Sequence, residues 1–421
     1  MIESDAAGSS APAPLRISGE RLTARLNALA EIGAIEGDGC SRLAFTAEDG
    51  RGRDLVVTWM NDLGLEVSTD GIGNTVAVRA GVEPGPPVMC GSHIDTVATG
   101  GRFDGNLGVL AGLEVIETLD AAGVETTRPL AVAFFSNEEG ARFPPDMMGS
   151  LVYVGGMGLE EALDTVGIDG TTVAEELEAI GYRGSLPSPG PVPHAYVELH
   201  IEQGPVLDIE GETIGVVEGV QGISWTEVTI EGQSNHAGTT PMSMRHDAGL
   251  AAAAVAVGVR EIASSMGGNQ VGTCGMIDLH PNLVNVIAQR AVMTVDLRNT
   301  DEEALVRAES ALSELLDRIA SEEGVTVSTR RLARFQPVEF DPNVVDLVEE
   351  QAHRLGLATR RMPSGAGHDA QMLARLCPTG MVFVPSVDGV SHNPAEFTSE
   401  ADLEAGANVL LNTMVALAGR V

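Results

Sequence analysis

PVMCGSHIDTV, residues 87–97, reads as a short buried strand that runs straight into two chemically active side chains, His93 and Asp95. An apolar run of this length, closed by glycine, suits a strand covered on both faces. LAVAFFS at 130–136, AYVELHI at 195–201 and MVFVPS at 381–386 repeat the pattern. Helical stretches lie between them. Leu107 to Gly123 places Glu114, Glu117 and Asp120 on one stripe and Leu, Val, Ile and Ala elsewhere, as a helix packed on a sheet would. The alternation predicts an α/β core.

From 222 to 337 the texture changes. SWTEVTI, a helix from DAGLAAAAVAVGVREIASS, QVGTCGMI, AVMTVDL, a helix from DEEALVRAESALSELLDRIASEEG and VTVSTRR follow one another. The order βαββαβ predicts a ferredoxin-like α+β module inserted into the larger domain. Its second helix is expected to start on a capping box, Thr300 with Glu303, and to stop at Gly324. The α/β domain is then discontinuous, 19–221 and 338–421, after an acidic tail over 1–18 expected to be disordered.

Composition narrows the chemistry. The 421 residues carry 25 Lys+Arg, every one an Arg, against 60 Asp+Glu. Without a lysine there is no pyridoxal Schiff base, no lysine-dependent aldolase and no complete Walker A loop. A net charge of −35 argues against nucleic-acid and anionic-membrane partners, which need a basic footprint. The longest soft apolar run, GLAAAAVAVGV at 249–259, falls short of a bilayer span. Cys40, Cys90, Cys274 and Cys377 are scattered, form no C-x-x-C, and read as reduced thiols of a cytoplasmic protein, Cys90 as a small buried hydrophobe. The lysine-free acidic surface fits either salt adaptation or a genome that favours Arg codons.

Potential ligand groups stand at or just beyond the ends of the four apolar runs: His93 and Asp95 in GSHIDTV, Asp104 in GGRFDG, Glu138 and Glu139 in SNEEG, His200 in ELHIEQG and His392 in VSHNPAE. Ligands of open α/β sheets bind outside the carboxyl ends of strands, so side chains 300 residues apart in sequence can converge. Imidazoles with carboxylates suit Zn, Mn, Co or Ni, and a carboxylate can bridge two ions. A neighbouring unliganded carboxylate can then serve as base, a division of labour that Glu138 and Glu139 supply. Taken singly each group has a plainer reading: a satisfied structural histidine, or a solvated acidic pair.

GSHIDT, GGRFDG, NEEGARF, ELHIEQGPVL, SNHAGTTPM, SGAGHDAQ and SHNPAEFT stand together in one order. In these motifs the chain, over roughly 20–418, resembles the two-metal amidohydrolases of the aminoacylase and carboxypeptidase type, and specifically their hydantoinase/carbamoylase branch. The resemblance implies an exopeptidase-like catalytic domain with an inserted lid and dimerisation domain, and two divalent metal ions. His93, Asp104 and His200 would hold one ion. Asp104 would bridge to a second completed by Glu139 and His392. Glu138 resembles the general base, and Asp95 would orient His93. Gln203, His236, Asn285, Arg298 and Gly367 resemble the substrate-binding set, with His236 stabilising developing charge. Arg298 offers a planar fork suited to a carboxylate, and His236 and Asn285 suit a ureido group. His368 and Asp369 lie in a matching motif without a metal role; His194, His246, His280 and His353 match none. The family's usual Pro-Gly turn after Asn285 is replaced by Val286, Ile287, Ala288 and Gln289.

The implied function is hydrolysis of N-carbamoyl-L-amino acids by a cytoplasmic homodimer acting on a small ureido substrate. Allantoate amidohydrolase and β-ureidopropionase are rivals of the same branch, a peptidase or acylase a rival of the same chemistry, and a metal-binding protein without catalysis a rival of another class. A spare carboxylate at Glu138 argues against the last.

Overall fold

The computed structural model describes residues 14–421, so most of the expected N-terminal tail lies outside the described residues. Where that tail is described it is pinned. Leu15 and Ile17 donate their main-chain N–H groups to Asn412 and Asn408, and Ser18 caps the first helix through Arg21 N–H. Residues 15–18 are therefore ordered, against the expectation for 1–18: two side-chain amides provide acceptors that the tail's composition did not reveal.

The elements that matter for the site are, in chain order, α1 (Gly19–Ala30), β1 (Glu66–Thr69), β2 (Thr75–Arg79), β3 (Val88–His93), α2 (Asn106–Ala121), β4 (Leu130–Phe135), β5 (Ala195–Ile201), β6 (Ile214–Val220), β7 (Gly222–Glu231), α3 (Ala248–Met266), β8 (Val271–Thr273), β9 (Ile277–His280), β10 (Arg290–Asn299), α4 (Glu302–Glu323), β11 (Thr326–Phe335), α5 (Pro342–Arg354), β12 (Thr379–Val384) and α6 (Glu400–Ala418). They fall into two compact units. One comprises the chain up to Glu218 with Phe340–Met362 and Gly367–Val421; the other comprises Gly219–Glu339 with Pro363–Ala366. The short segment Pro363–Ala366 clusters with the inserted unit rather than with the α/β unit in which the sequence placed it, because Ser364 and Gly365 bond to Gln221 and Arg298.

In the first unit the sheet runs β6-β12-β5-β3-β4-β2-β1. The four apolar runs form its centre, and β12, β5, β3 and β4 are mutually parallel, so their carboxyl ends share one edge. The flanking strands are antiparallel. Every residue of β3, β4, β5 and β12 is buried, which is why these strands read as continuous apolar runs instead of alternating ones. α2 packs on this sheet. Its acidic stripe does not all face water: Asp120 is exposed, but Glu114 is fully buried, taking Arg21 through Nη2 at 2.6 Å and Nε at 2.7 Å, with Arg25 at 3.3 Å. α1 covers that face, turning what read as an exposed flank into a buried ion pair whose members depend on each other.

The second unit is an antiparallel sheet ordered β8-β10-β7-β11, with β9 also on β10. The two helices lay an apolar stripe on its inner face: Ala251, Ala252, Val255 and Val259 from α3 and Leu305, Ala308, Leu312 and Leu316 from α4 meet Ala291, Met293, Val295 and Leu297 of β10. α3, at 19 residues and mean hydropathy 1.3, is thus the core helix of this unit. Two local readings change. QVGTCGMI is broken into β8 and β9, and α4 is capped by Asp301, which accepts Ala304 N–H at 2.6 Å, not by Thr300. An aspartate carboxylate one residue further on is a stronger N-cap than threonine, and the capped donor moves from Glu303 N–H to Ala304 N–H. Gly324 ends α4 in the left-handed conformation, φ 62°.

Candidate metal centre and active site

His93 is the last residue of β3, His200 lies at the end of β5, and Glu138–Glu139 and His392 follow β4 and β12. Asp104 comes from the turn that starts α2. The parallel edge thus delivers all of them to one place. Asp104 is the hub. Its Oδ1 lies 3.2 Å from His200 Nε2 and 3.6 Å from His93 Nε2, whereas Oδ2 lies 3.3 Å from His392 Nε2, itself 3.4 Å from Glu139 Oε2. His93, Asp104 and His200 can each offer one ligand atom within 4.8 Å of the others, and so can Asp104, Glu139 and His392. Two divalent ions bridged by Asp104 fit this donor set: each carboxylate oxygen faces a different group, and all three imidazoles present Nε2.

Main-chain carbonyls hold two of those imidazoles. His93 Nδ1 lies 2.9 Å from the Asp95 carbonyl and His200 Nδ1 2.9 Å from that of Ile201, an arrangement that places a proton on Nδ1 and leaves Nε2 to the centre. Asp95 therefore orients His93, but not as expected. Its carboxylate stands 3.9 Å from Nδ1 and instead accepts the N–H groups of Glu138 and Glu139, each at 3.3 Å. The carbonyl two residues along reaches the ring first, and the side chain is released to hold the loop that bears both glutamates. Gly105, at φ 67°, sits so close under the His93 ring that a Cβ would lie 2.4 Å from it, hence the glycine after Asp104.

The centre is buried and crowded with charge. Burial opposes the imidazolium of His93, but Glu138, Asp104 and Asp95 outweigh it and hold its pKa well above the ordinary value; against the same burial Asp104 raises that of His200. Asp104 raises His392 to about 9. Burial, with neighbouring carboxylates, raises Glu139 to about 8 and Glu138 well above its usual range. All these shifts make the folded, metal-free chain bind more protons than the unfolded one. Its stability should therefore decline as pH rises from about 4.5, where an unfolded Glu ionises, through 9, the folded value of His392. A divalent ion replaces those protons, so the gap in Tm between metal-loaded and metal-stripped protein should widen with pH. Calorimetry at pH 6 and pH 9 checks this; a gap that narrows would contradict it.

Gln203 directs its side-chain N–H to Asp104 Oδ2 at 2.8 Å, while its Oε1 is buried without a hydrogen-bond partner among the described residues. Gly367 lies against Met147 and precedes His368, whose ring meets His200 edge-on with centroids 4.6 Å apart. In the second unit His236 and Asn285 are neighbours: Ala237 N–H donates to the Asn285 carbonyl at 2.9 Å, and His236 bridges to Val286. The turn closes there without Pro-Gly. His236 Nδ1 accepts the N–H groups of Gly238 and Thr239, so the proton belongs on Nε2, available to donate. Arg298 is held by Asp296, with Nη2 at 2.9 Å, by the Gly365 carbonyl at 2.7 Å, and over the Trp225 ring at 5.9 Å. Sequence reasoning passed over Glu396, which bonds to two loops of the centre, although it stands in a quoted motif.

Comparison with known proteins agrees with this geometry. Residues 89–416 match the model of Peptidase family M20/M25/M40. An amidase of the hydantoinase/carbamoylase family from Burkholderia multivorans superposes with a TM-score of 0.93 at 46% identity, over 96% of this chain and 98% of that one. The N-carbamoyl-L-amino acid amidohydrolase of Geobacillus stearothermophilus is 42% identical over 408 residues, 96% of this chain and 99% of its own. The ureidoglycolate hydrolase of Arabidopsis thaliana is 35% identical over 396 residues, 90% and 82% respectively. Four parallel strand ends, a shared aspartate and these likenesses lead to one statement: the chain belongs to Peptidase family M20/M25/M40, on its hydantoinase/carbamoylase amidase branch.

Proposed function

We propose that the protein hydrolyses the carbamoyl C–N bond of N-carbamoyl-L-amino acids, giving the amino acid, carbon dioxide and ammonia. The observation that carries the reading is Asp104 with its two oxygens aimed at separate ligand groups beside a buried carboxylate, Glu138, that belongs to neither. His93, Asp104 and His200 would hold one ion and Asp104, Glu139 and His392 the other; Zn, Mn, Co and Ni all suit these donors. The chemistry such ions supply when bound is Lewis-acid polarisation of the scissile carbonyl and acidification of water. Glu138 takes the proton of the attacking water on its carboxylate and returns it to the leaving amine nitrogen. His236 Nε2–H donates to the carbonyl oxygen as negative charge develops there. Asn285 and Gln203 Oε1 hydrogen-bond the ureido group, Arg298 clamps the α-carboxylate, and Gly367 lets the main chain approach the substrate closely.

A substrate panel tests the reading. Ammonia released from allantoate or ureidoglycolate, with none from N-carbamoyl-L-methionine, would sink it. The greater likeness to an N-carbamoyl-L-amino acid amidohydrolase than to a ureidoglycolate hydrolase supports the order of preference. Arg298→Lys should raise KM by roughly 10- to 100-fold, the worth of a charged hydrogen bond, and lower kcat much less, since the clamp acts in ground and transition state alike. A fall in kcat at unchanged KM would remove the clamp assignment. A cytoplasmic homodimer associating through the inserted unit is the form we propose, in keeping with cysteines that are all free; light scattering tests the dimer.

A further inference from the structure

Glu396 stands in the SHNPAEF motif, whose loop also sends Ser391 and His392 towards Asp104 and Phe397 onto Phe103. It is 5% exposed, and its Oε1 accepts the main-chain N–H groups of Phe103 at 3.1 Å and Asp104 at 3.2 Å. Its Oε2 accepts the Ser391 hydroxyl at 2.9 Å, next door to His392. One carboxylate thus ties the turn that carries Asp104 to the loop that carries His392, across almost 300 residues of sequence. The seat is built for it: a Cβ on Gly101 would lie 2.1 Å from Glu396 Oε1, so GGRFDG can hold the carboxylate only with glycine there. The far loop has other, longer side-chain ties, Ser391 Oγ to Asp104 Oδ2 and Gln203 Nε2 to His392 Nε2, each at 3.4 Å, but only the Glu396 carboxylate joins it to the main chain that carries Asp104. His392 is half exposed and stands at φ 52°, a conformation that a non-glycine residue keeps only when its surroundings impose it. The turn Glu396 N–H to Asn393 O at 2.9 Å folds the loop back on itself without attaching it to anything. Asp104, by contrast, has other anchors: Gln203 on its Oδ2, and the first turn of α2, where Leu107 N–H reaches the Phe103 carbonyl at 3.0 Å.

We propose that Glu396 is the positioning residue that sets His392 against Asp104 and so assembles the second metal position, His392 with Asp104 and Glu139, without touching metal or substrate itself. The proposal rests on the two-metal reading above.

Cobalt(II) uptake by the metal-stripped chain, titrated against a chromogenic chelator, tests it. The unmodified chain should take up two equivalents. Glu396→Ala leaves two buried N–H groups without an acceptor, and should keep the first equivalent while weakening the second about 10- to 100-fold, the usual effect of a support to a ligand. Glu396→Gln retains an oxygen for both N–H groups and should stay within about threefold of the unmodified chain. Gly101→Ala, which displaces the carboxylate from the other side, should reproduce the Ala phenotype; it also decides the matter should Glu396→Ala not fold. Two equivalents bound normally by the Ala variants would overturn the proposal. So would Glu396→Gln falling as far as Glu396→Ala, because charge and not position would then be responsible. An unmodified chain that takes up only one equivalent would instead refute the two-metal reading beneath it.

Discussion

Glu138→Gln is expected to leave both metal equivalents in place and to lower kcat by about 10²- to 10⁴-fold, the usual worth of a positioned general base. Glu138 is not a member of any ligand group among the described residues, yet its Oε2 lies 3.4 Å from His93 Nε2. It is 7% exposed, and its main-chain N–H is fastened to Asp95. Burial, with Asp369, Glu139 and Asp95 around it, makes this carboxylate a better proton acceptor than an ordinary glutamate. Glutamine fills the same volume and cannot take a proton. Because glutamine keeps the volume and is neutral, as a carboxyl with so raised a pKa tends to be without metal, the metal-stripped protein should melt close to the unmodified one, which separates a lost base from a lost fold. Metal analysis, a steady-state assay and a melting curve on one preparation suffice. Turnover that survives would refute the assignment of Glu138 as base; loss of one metal equivalent would make it a ligand.

The strand ends were legible because full burial on both faces leaves an unbroken apolar run, and because the residue after such a run is free to be polar. His93, Glu138 and His200 are found that way from sequence alone. That the strands are parallel follows from the helices between them, and parallel strands bring their ends to one edge. What sequence could not supply is which atom of a residue does the work. Asp95 was read through its side chain, but its carbonyl meets His93 and its carboxylate meets a loop 43 residues on. Glu114 looked like one side of a solvated stripe, and is buried because Arg21 and Arg25 arrive from another helix. Glu396 has no periodicity and no ligand role to announce it; only the approach of Gly101 and two N–H groups distinguishes it from a surface glutamate. Each of these depends on a contact between distant segments, where local pattern carries no information.

Asp104→Asn should have the broadest effect of any single substitution here, removing tight binding of both metal equivalents and reducing turnover to background. Of the three ligand groups among the described residues, Asp104 alone joins the His93–His200 pair to the Glu139–His392 pair; the third, Glu198, His200 and His368, shares His200. An amide can present one oxygen but no second anionic one, so at most one side keeps a neutral, weaker donor. His392→Ala and His200→Ala should each spare the opposite equivalent, and the three titrations together read out the bridge. A second consequence appears without metal. Three imidazoles surround the Asp104 carboxylate and hold its pKa well below the ordinary value against the cost of burial. A depressed carboxylate stabilises the fold above its unfolded pKa of about 3.9, and here it does so only while its partners are protonated. Those partners discharge as pH rises, His392 at about 9. The difference in Tm between metal-stripped unmodified protein and Asp104→Asn should accordingly be largest near pH 6 and shrink towards pH 9.5. A difference that does not depend on pH would mean that Asp104 stabilises the fold through packing and not through the histidines, and one metal equivalent bound as tightly as before would mean that it does not bridge.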